Sequence, residues 1–342
     1  MQVLLRLLTC VVLHEDRTIR TNLPLIVWLA GACLANAAAA QSLQVVETDD
    51  VITVKHDDSV VLTYNKKSPS APPGIDSVYE RSGCLHPVVS PLGRTVTEMF
   101  PPDHAHQHGV FSAWVKTTYD GRPVDFWNLA GGEGRVLHER VVSTFQRRDA
   151  AGFEVDLIHR AETPPVDILR ERWKITVYPT DGTYHCFDLE TTQTAVTDKP
   201  LTVSKHHYGG IALRGLTRWL ATKDSDARKH PDLAREPSGF LNNLGSNRIE
   251  GNHQRAKWVA LWGSIHGKPV SIAVLCHADN FRAPQAARLH PTKPYFCFSP
   301  CVDGTFTIDR ESSLKAKYRY LVTDAEPDAE WIDRQWETWC GK

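Results

Sequence analysis

The tightest constraint on this chain is a rhythm of short β-patterned segments separated by turn signals. Leu43–Thr48, Val51–His56 and Ser59–Tyr64 are rich in β-branched residues in rough alternation, with Asp49-Asp50 and Asp57-Asp58 between them. Val136–Gln146, Phe153–Ala161, Glu171–Tyr178 and Thr183–Thr192 repeat the pattern, punctuated by Gly152, Pro179 and Asp181-Gly182. Trp258–Gly263 and Val270–Cys276 flank His266-Gly267, and Ser313–Val322 closes the series. Successive strand side chains point to opposite faces, so alternation over a few residues reads as a half-buried strand. Helical periodicity is scarce. Only Asp328–Trp339, with Trp331, Gln335 and Trp339 four apart, reads as a short helix, packed on a sheet at the C-terminal end. Parallel strands need long crossovers, usually helical, and these are missing, so antiparallel pairing is expected. With 342 residues, no internal repeat and no low-complexity linker, the expectation is all-β: one large antiparallel β-sandwich over residues 41–342.

Net charge is -1 and 42% of residues are hydrophobic, ordinary for a globular protein. A nucleic-acid partner, which needs a basic face, is not expected. Residues 1–40 read as a signal peptide. Arg17 and Arg20 precede the apolar run Leu23–Leu34, and Ala38-Ala39-Ala40 before Gln41 fits a cleavage site. The mature protein is then expected in the periplasm or outside the cell. A lipid-anchored alternative at Cys33 has Ala30, not the usual Leu, three places upstream. No other stretch is long and apolar enough for a membrane span, so no integral membrane domain is expected. Cys84, Cys186, Cys276, Cys297, Cys301 and Cys340 follow the leader, as accessory disulfides or as small buried hydrophobes.

The chemistry concentrates in Phe100–Trp114, FPPDHAHQHGVFSAW. His104, His106 and His108 stand two apart beside Asp103. Pro101 and Pro102 disfavour a helix, and in an extended chain the three imidazoles share one face. Imidazole titrates near neutrality and is the commonest metal ligand. The row suits acid/base chemistry, metal binding or ligand recognition; a His-rich turn is the bland alternative. A second motif, Ser204–Ile211, places His206-His207-Tyr208 before Gly209-Gly210 and a strand ending at Arg214. Alternation lets one histidine of that pair face a site. The glycines permit close backbone approach to a ligand, or mark a strand bulge. Asp125-Phe126-Trp127-Asn128 precedes a Gly-rich turn. The weakly patterned Leu216–Arg248 reads as a lid or a passive insertion. His290 and Lys293 stand at the entry of the aromatic strand in PTKPYFCFSP.

On PLGRTVTEMFPPDHAHQHG, DFWN, HHYGGIALRG, PTKPYFCFSP and KYRYLVTDAEPDAEWID, the chain resembles an uncharacterised bacterial family carried as a domain of unknown function and labelled "methane oxygenase PmoA". Its usual pattern has two adjacent histidines before the first glycine; here Gln107-His108 takes that place. Membrane subunits bearing that label are helical, which this chain is not. The resemblance implies a galactose mutarotase-like supersandwich, akin to mutarotases and polysaccharide lyases.

The expected function is that of an exported carbohydrate-active protein: a His-centred lyase, isomerase or hydrolase with a sugar or other small-molecule substrate. Such chemistry takes a proton and gives one back. His104, His106, His108 and His207 are the acid/base candidates, with Asp103 orienting them. No carboxylate pair of the kind glycoside hydrolysis uses stands out. Arg94, Trp127, Tyr208, Arg214, His290, Lys293 and Tyr295 are the substrate-binding candidates; Arg94 and Arg214 can equally be structural ion-pair partners. One alternative is a metal-dependent oxygenase-like enzyme with one divalent ion on His104, His106 and His207. Another is a non-catalytic carbohydrate-binding protein, which the ten tryptophans also suit.

Overall fold

A computed structural model of the chain describes residues 42–221, 223 and 235–341. The expected leader and its cleavage point at Gln41 lie outside the described residues, as does part of the expected lid. Strands are numbered in chain order. One eight-stranded antiparallel sheet runs β1 (Leu43–Glu47), β2 (Val51–His56), β3 (Ser59–Asn65), β4 (Cys84–Val88), β5 (Val110–Ala113), β13 (Gly210–Arg214), β18 (Tyr295–Phe298) and β17 (Ala287–Leu289). The second runs β14 (Ser238–Asn242), β15 (Trp258–Ile265), β16 (Lys268–Cys276), β20 (Leu314–Thr323), β11 (Tyr184–Ala195), β10 (Pro165–Tyr178), β9 (Ala151–Glu162) and β8 (Gly134–Gln146). A small sheet of β19 (Phe306–Ile308), β12 (Leu201–Val203), β6 (Thr117–Tyr119) and β7 (Arg122–Val124) accompanies them. The pairings are antiparallel throughout, as expected without helical crossovers.

The two large sheets pack face to face. Tyr64 of β3 meets Phe153 of β9 at 5.4 Å and Trp173 of β10 at 6.3 Å between ring centroids. Gln193 of β11 donates to Ser112 Oγ of β5 at 3.3 Å and accepts from Trp114 Nε1 at 2.8 Å. Side chains of this interior are fully buried, and truncating one of its large aromatics to Ala removes about 3–5 kcal/mol. One ionisable cluster is enclosed with them. The Glu171 carboxylate accepts from Trp173 Nε1 at 2.8 Å and Thr191 Oγ1 at 2.7 Å, and lies 2.7 Å from His159 Nε2.

Those cross-sheet bonds settle which way the first sheet's side chains point. Ser112 faces the interior, and its register partners Ile211, Phe298 and Ala287 share its face. Alternation then sends the row Phe111, Ala212, Cys297 and Arg288 to the opposite, outer face, with the pair Arg214 and Tyr295. Arg214 and Tyr295, singled out by sequence on motifs some eighty residues apart, are thus neighbours on one side of one sheet.

α1 (Ala329–Cys340) matches the expected helix. Asp328 caps it by accepting from the Trp331 amide at 3.0 Å, and Gly341 ends it at φ +68°. It packs on the second sheet, where Trp336 Nε1 donates to the Cys276 carbonyl and Trp258 Nε1 to Asp333. Cys84, Cys186, Cys276, Cys297 and Cys301 are buried free thiols, so they serve here as small apolar side chains.

Candidate functional site

The segment between Phe100 and Gly109 is not extended. The His104 amide donates to the Pro101 carbonyl at 3.0 Å and the Gln107 amide to the His104 carbonyl at 2.9 Å, making two successive turns. The adjacent prolines favour this, since neither can donate to a strand ladder. Gly109 ends the turns at φ +53°; a Cβ there would lie 2.1 Å from the Leu85 carbonyl oxygen, so only glycine fits. The single face expected for the three histidines is therefore lost. His108 is enclosed edge-on against Phe100, centroids 4.5 Å apart, and both its ring nitrogens are buried without partners. Burial, helped by the charge of Arg81, pushes its pKa down to about 3. It is a packing group, not a surface acid or base.

His104 and His106 stay half-buried with their rings 5.3 Å apart. Asp103 lies beneath them. Its buried carboxylate takes a two-pronged bond from Arg214 (Nη2–Oδ1 2.6 Å, Nη1–Oδ2 2.8 Å), with Lys293 Nζ 3.7 Å from Oδ2. Burial alone would raise this carboxyl, but Arg214 and His104 outweigh it and hold the group well below the usual carboxylate range. His104 Nδ1 sits 3.3 Å from Asp103 Oδ2, within ion-pair distance but off the direction of a hydrogen bond. The His104 side chain is 28% exposed. Burial first, then the charges of His104, Arg81 and Arg214, lower His106 to about 3, so it is neutral near pH 7.

Arg214 is itself braced. It donates to Gln107 Oε1 at 3.1 Å and through Nε to the Gly215 carbonyl at 3.0 Å. Thr217, 3.4 Å from Arg214 Nη2, donates its hydroxyl and its amide to Glu98. Arg214 and Lys293 are therefore partners of Asp103, and for Arg214 this is the structural ion pair that its sequence reading left open. Arg94 is also an ion-pair partner. It reaches Asp324 at 2.6 Å, on a loop whose Ser90 binds the same carboxylate, and it borders a separate cleft with Glu98, Arg218 and His266.

An aromatic row joins the two histidine motifs. His104 lies 6.5 Å from Tyr295 and 6.2 Å from His290. Tyr295 lies 6.4 Å from Trp127, which meets Tyr208 edge-on at 5.1 Å. Tyr208 in turn packs on His206 and His207 at 4.8 and 4.6 Å. Trp127 is 1% exposed and also touches Phe111, so it backs the row and offers no open stacking face. Asp125 fixes it by accepting from the Trp127 and Asn128 amides and from Asn128 Nδ2, which also reaches the Tyr208 hydroxyl. Burial raises the pKa of Tyr208 and Tyr295, so both keep their hydroxyl protons. His290 Nδ1 accepts from the Thr292 and Lys293 amides at 3.2 and 3.0 Å, holding the turn that leads into β18.

His207 is exposed, and its carbonyl accepts from His253 Nε2 at 3.0 Å. Burial, then neighbouring His206 and Arg288, lower its pKa. Its ring is separated from His104 and His106 by the aromatic row, so the three expected metal ligands are not assembled. Among the described residues, no group of three His, Cys, Asp or Glu is placed to hold a metal ion. The glycines after Tyr208 also serve the fold. Gly210 stands at φ +106°, and a Cβ on it would lie 2.6 Å from the Phe298 carbonyl oxygen, so the close approach is to β18 and not to a ligand.

Two arginines had no signal in the sequence. Arg288 lies in a polar stretch without a motif; its place follows only from pairing with Cys297. It is half-buried, bonded through Nη1 to Asn252 Oδ1 and the Leu289 carbonyl. Arg81 is fully buried, donates to the Phe126 carbonyl at 2.8 Å and lies over the Phe111 ring. Burial lowers its pKa to about 10.

A family profile described as "Family of unknown function (DUF6807)" matches residues 51–337. Among curated proteins, none matches the sequence. Solved structures with a similar β architecture include a polysaccharide lyase (8% identity, TM-score 0.37, covering 88% of this chain and 35% of that one). Others are heparan sulfate lyase HepC from Pedobacter heparinus (8%, 0.33, 84% and 36%) and alpha-N-acetylgalactosaminidase NagBb from Bifidobacterium bifidum (12%, 0.31, 87% and 38%). The chain spans about a third of the length of each. Likenesses this remote assign no activity.

Proposed function

The chain belongs to the DUF6807 family of unknown function, and we propose that it is an exported carbohydrate-active enzyme that moves a proton on a sugar, with His104 as the base. The observation that carries this reading is the buried, ionised Asp103 behind a half-exposed imidazole. A carboxylate on the Nδ1 side favours the tautomer with a proton there, which leaves the Nε2 lone pair to take a proton. Arg214 and Lys293 share the Asp103 charge, so Asp103 acts chiefly by orienting the ring. Tyr208 and Tyr295, protonated and on the same aromatic row, are hydroxyl donors toward sugar oxygens, and neutral His106 can bind a sugar hydroxyl. One base with protonated hydroxyl donors suits an isomerase or lyase better than a hydrolase, which ordinarily uses two carboxylates. Export is part of the proposal. It rests on the apolar run Leu23–Leu34 and the alanines before Gln41, and N-terminal sequencing of native protein checks it.

The test is turnover of defined oligosaccharides in D2O, with deuterium incorporation at carbon read by mass spectrometry. Wild type is expected to exchange or convert at least one sugar, and His104→Ala to lose about 100-fold or more of that rate with little change in thermal transition. An unchanged rate in His104→Ala, or no exchange with any sugar, overturns the reading.

A further inference from the structure

Arg214 and Arg288 project from the same outer sheet face, Arg214 beside Tyr295 and Arg288 one register row away. Their chemistry differs. Arg214 is side-on to a carboxylate with no exposed side chain, and its charge is compensated. Arg288 makes no ion pair among the described residues. Its side-chain partners, Asn252, the Leu289 carbonyl and the Tyr295 hydroxyl, are neutral, and its Nε is buried without an acceptor. An ordered water would satisfy that N–H but would not balance the charge. The other cations around it have carboxylates facing them: Asp103 for Arg214 and Lys293, and Asp125 and Glu171 for Arg81. The acceptors of Asp125 are already occupied by Trp127 and Asn128. A guanidinium is a planar fork suited to carboxylate, and a partly buried one without a counter-ion marks a place where an anion is gained.

We propose that Arg288 is the anion-recognition residue of this site and that the sugar is acidic, its carboxylate seated on Arg288. This rests on the sugar-directed reading above and narrows it to uronate-containing substrates. Tyr295 and Tyr208, adjacent to Arg288 and feeling its charge, then flank the ring that carries the carboxylate. The same arrangement explains why Trp127 needs no exposed face: selectivity comes from charge more than from stacking.

Calorimetry on the full chain tests this with three probes, oligogalacturonate, oligoglucuronate and oligomannuronate, each beside its carboxyl-reduced, neutral form. Wild type is expected to bind at least one acid about tenfold or more tighter than its reduced partner, as a charge-assisted bond implies. Arg288→Gln should erase that preference while keeping the affinity for the neutral form, and Arg288→Lys should keep part of it. Should Arg288→Gln fail to fold, the wild-type ratio and Arg288→Lys still decide. Equal binding of acid and neutral forms, or a preference that survives in Arg288→Gln, overturns the inference. Neutral sugars bound without an acid preference overturn it alone; no binding of either form overturns the sugar reading with it.

Discussion

On the outer face of the β8–β11 and β20 sheet, arginines and lysines stand directly opposite carboxylates. Arg172 pairs with Asp156, Arg319 with Asp188 and Lys317 with Glu190, each as register partners across adjacent strands. On the outer face of the other large sheet, charges are fewer and more deeply buried. Arg214 and Asp103 compensate each other out of water, while Arg288 has no carboxylate partner among the described residues. The first pattern is what a solvated sheet face needs, because cross-strand opposite charges help pairing and repel nothing. The second does not help folding. Buried charge without a partner is retained against the pull of stability, and that is the mark of a site.

The largest effect expected from breaking this contrast is at Arg214. Arg214→Met leaves the Asp103 carboxylate buried with only Lys293 and His104 near it. Removing one partner of a buried pair typically removes about 3–5 kcal/mol. Urea unfolding should show a loss of that size. The double variant Arg214→Met with Asp103→Leu should regain much of it, since both charges are then gone, while turnover stays lost. A fall under about 1 kcal/mol in the single variant would place Arg214 with the surface pairs and dissolve the distinction.

A smaller effect concerns pH. His108 titrates near 3 when folded and near the usual ~6.5 when unfolded. Between those values the unfolded chain binds a proton that the folded chain refuses. The stability is therefore full above about pH 6.5 and is lost as pH falls toward 3, by at most about 1.4 kcal/mol per pH unit for one such group. His106 acts in the same window and direction. Asp103 enters only below about pH 4, where protonating it in the unfolded state begins to compete with its Arg214 bond. His108→Leu should flatten the stability profile from pH 6.5 to 4 and cost little at pH 7, because two unpartnered ring nitrogens leave the interior. An unchanged profile would mean that His108 titrates alike in the folded and unfolded chain, contrary to its burial.

How much of this was legible beforehand depends on the range of the interaction. Val136–Gln146, Phe153–Ala161 and Val270–Cys276 were readable because alternation is a local property, and they fall inside β8, β9 and β16. Asp328–Trp339 was readable as helix for the same reason. The histidine row was misread because alternation was applied where two turn bonds and the tight space at Gly109 decide the backbone. Asp103 was a candidate, but nothing local shows that Arg214, more than a hundred residues later, ends on it. Trp127 and Tyr208 were found through their short motifs, while their mutual contact and the burial of Trp127 needed the fold. Arg288 was missed altogether. Its stretch has no motif, and only the register of β17 on β18 carries it to the site.

The smallest expected effect checks the other side of the comparison. Lys317 and Glu190 face each other across β20 and β11 with Nζ and Oε2 3.1 Å apart, and both side chains are largely in water. Side-chain entropy and screening leave such a pair about 0.2–1 kcal/mol at most. A double-mutant cycle with Lys317→Ala and Glu190→Ala should therefore give a coupling below about 1 kcal/mol that shrinks as salt is added. The exchanged pair, Lys317→Glu with Glu190→Lys, should fold as well as the wild type, because a cross-strand pair on a solvated face is indifferent to which strand bears which sign. Neither change should alter the acid-to-neutral binding ratio set by Arg288. A coupling of several kcal/mol, or a changed ratio, would show that the second sheet's charges are not merely scaffold and that both outer faces take part in recognition.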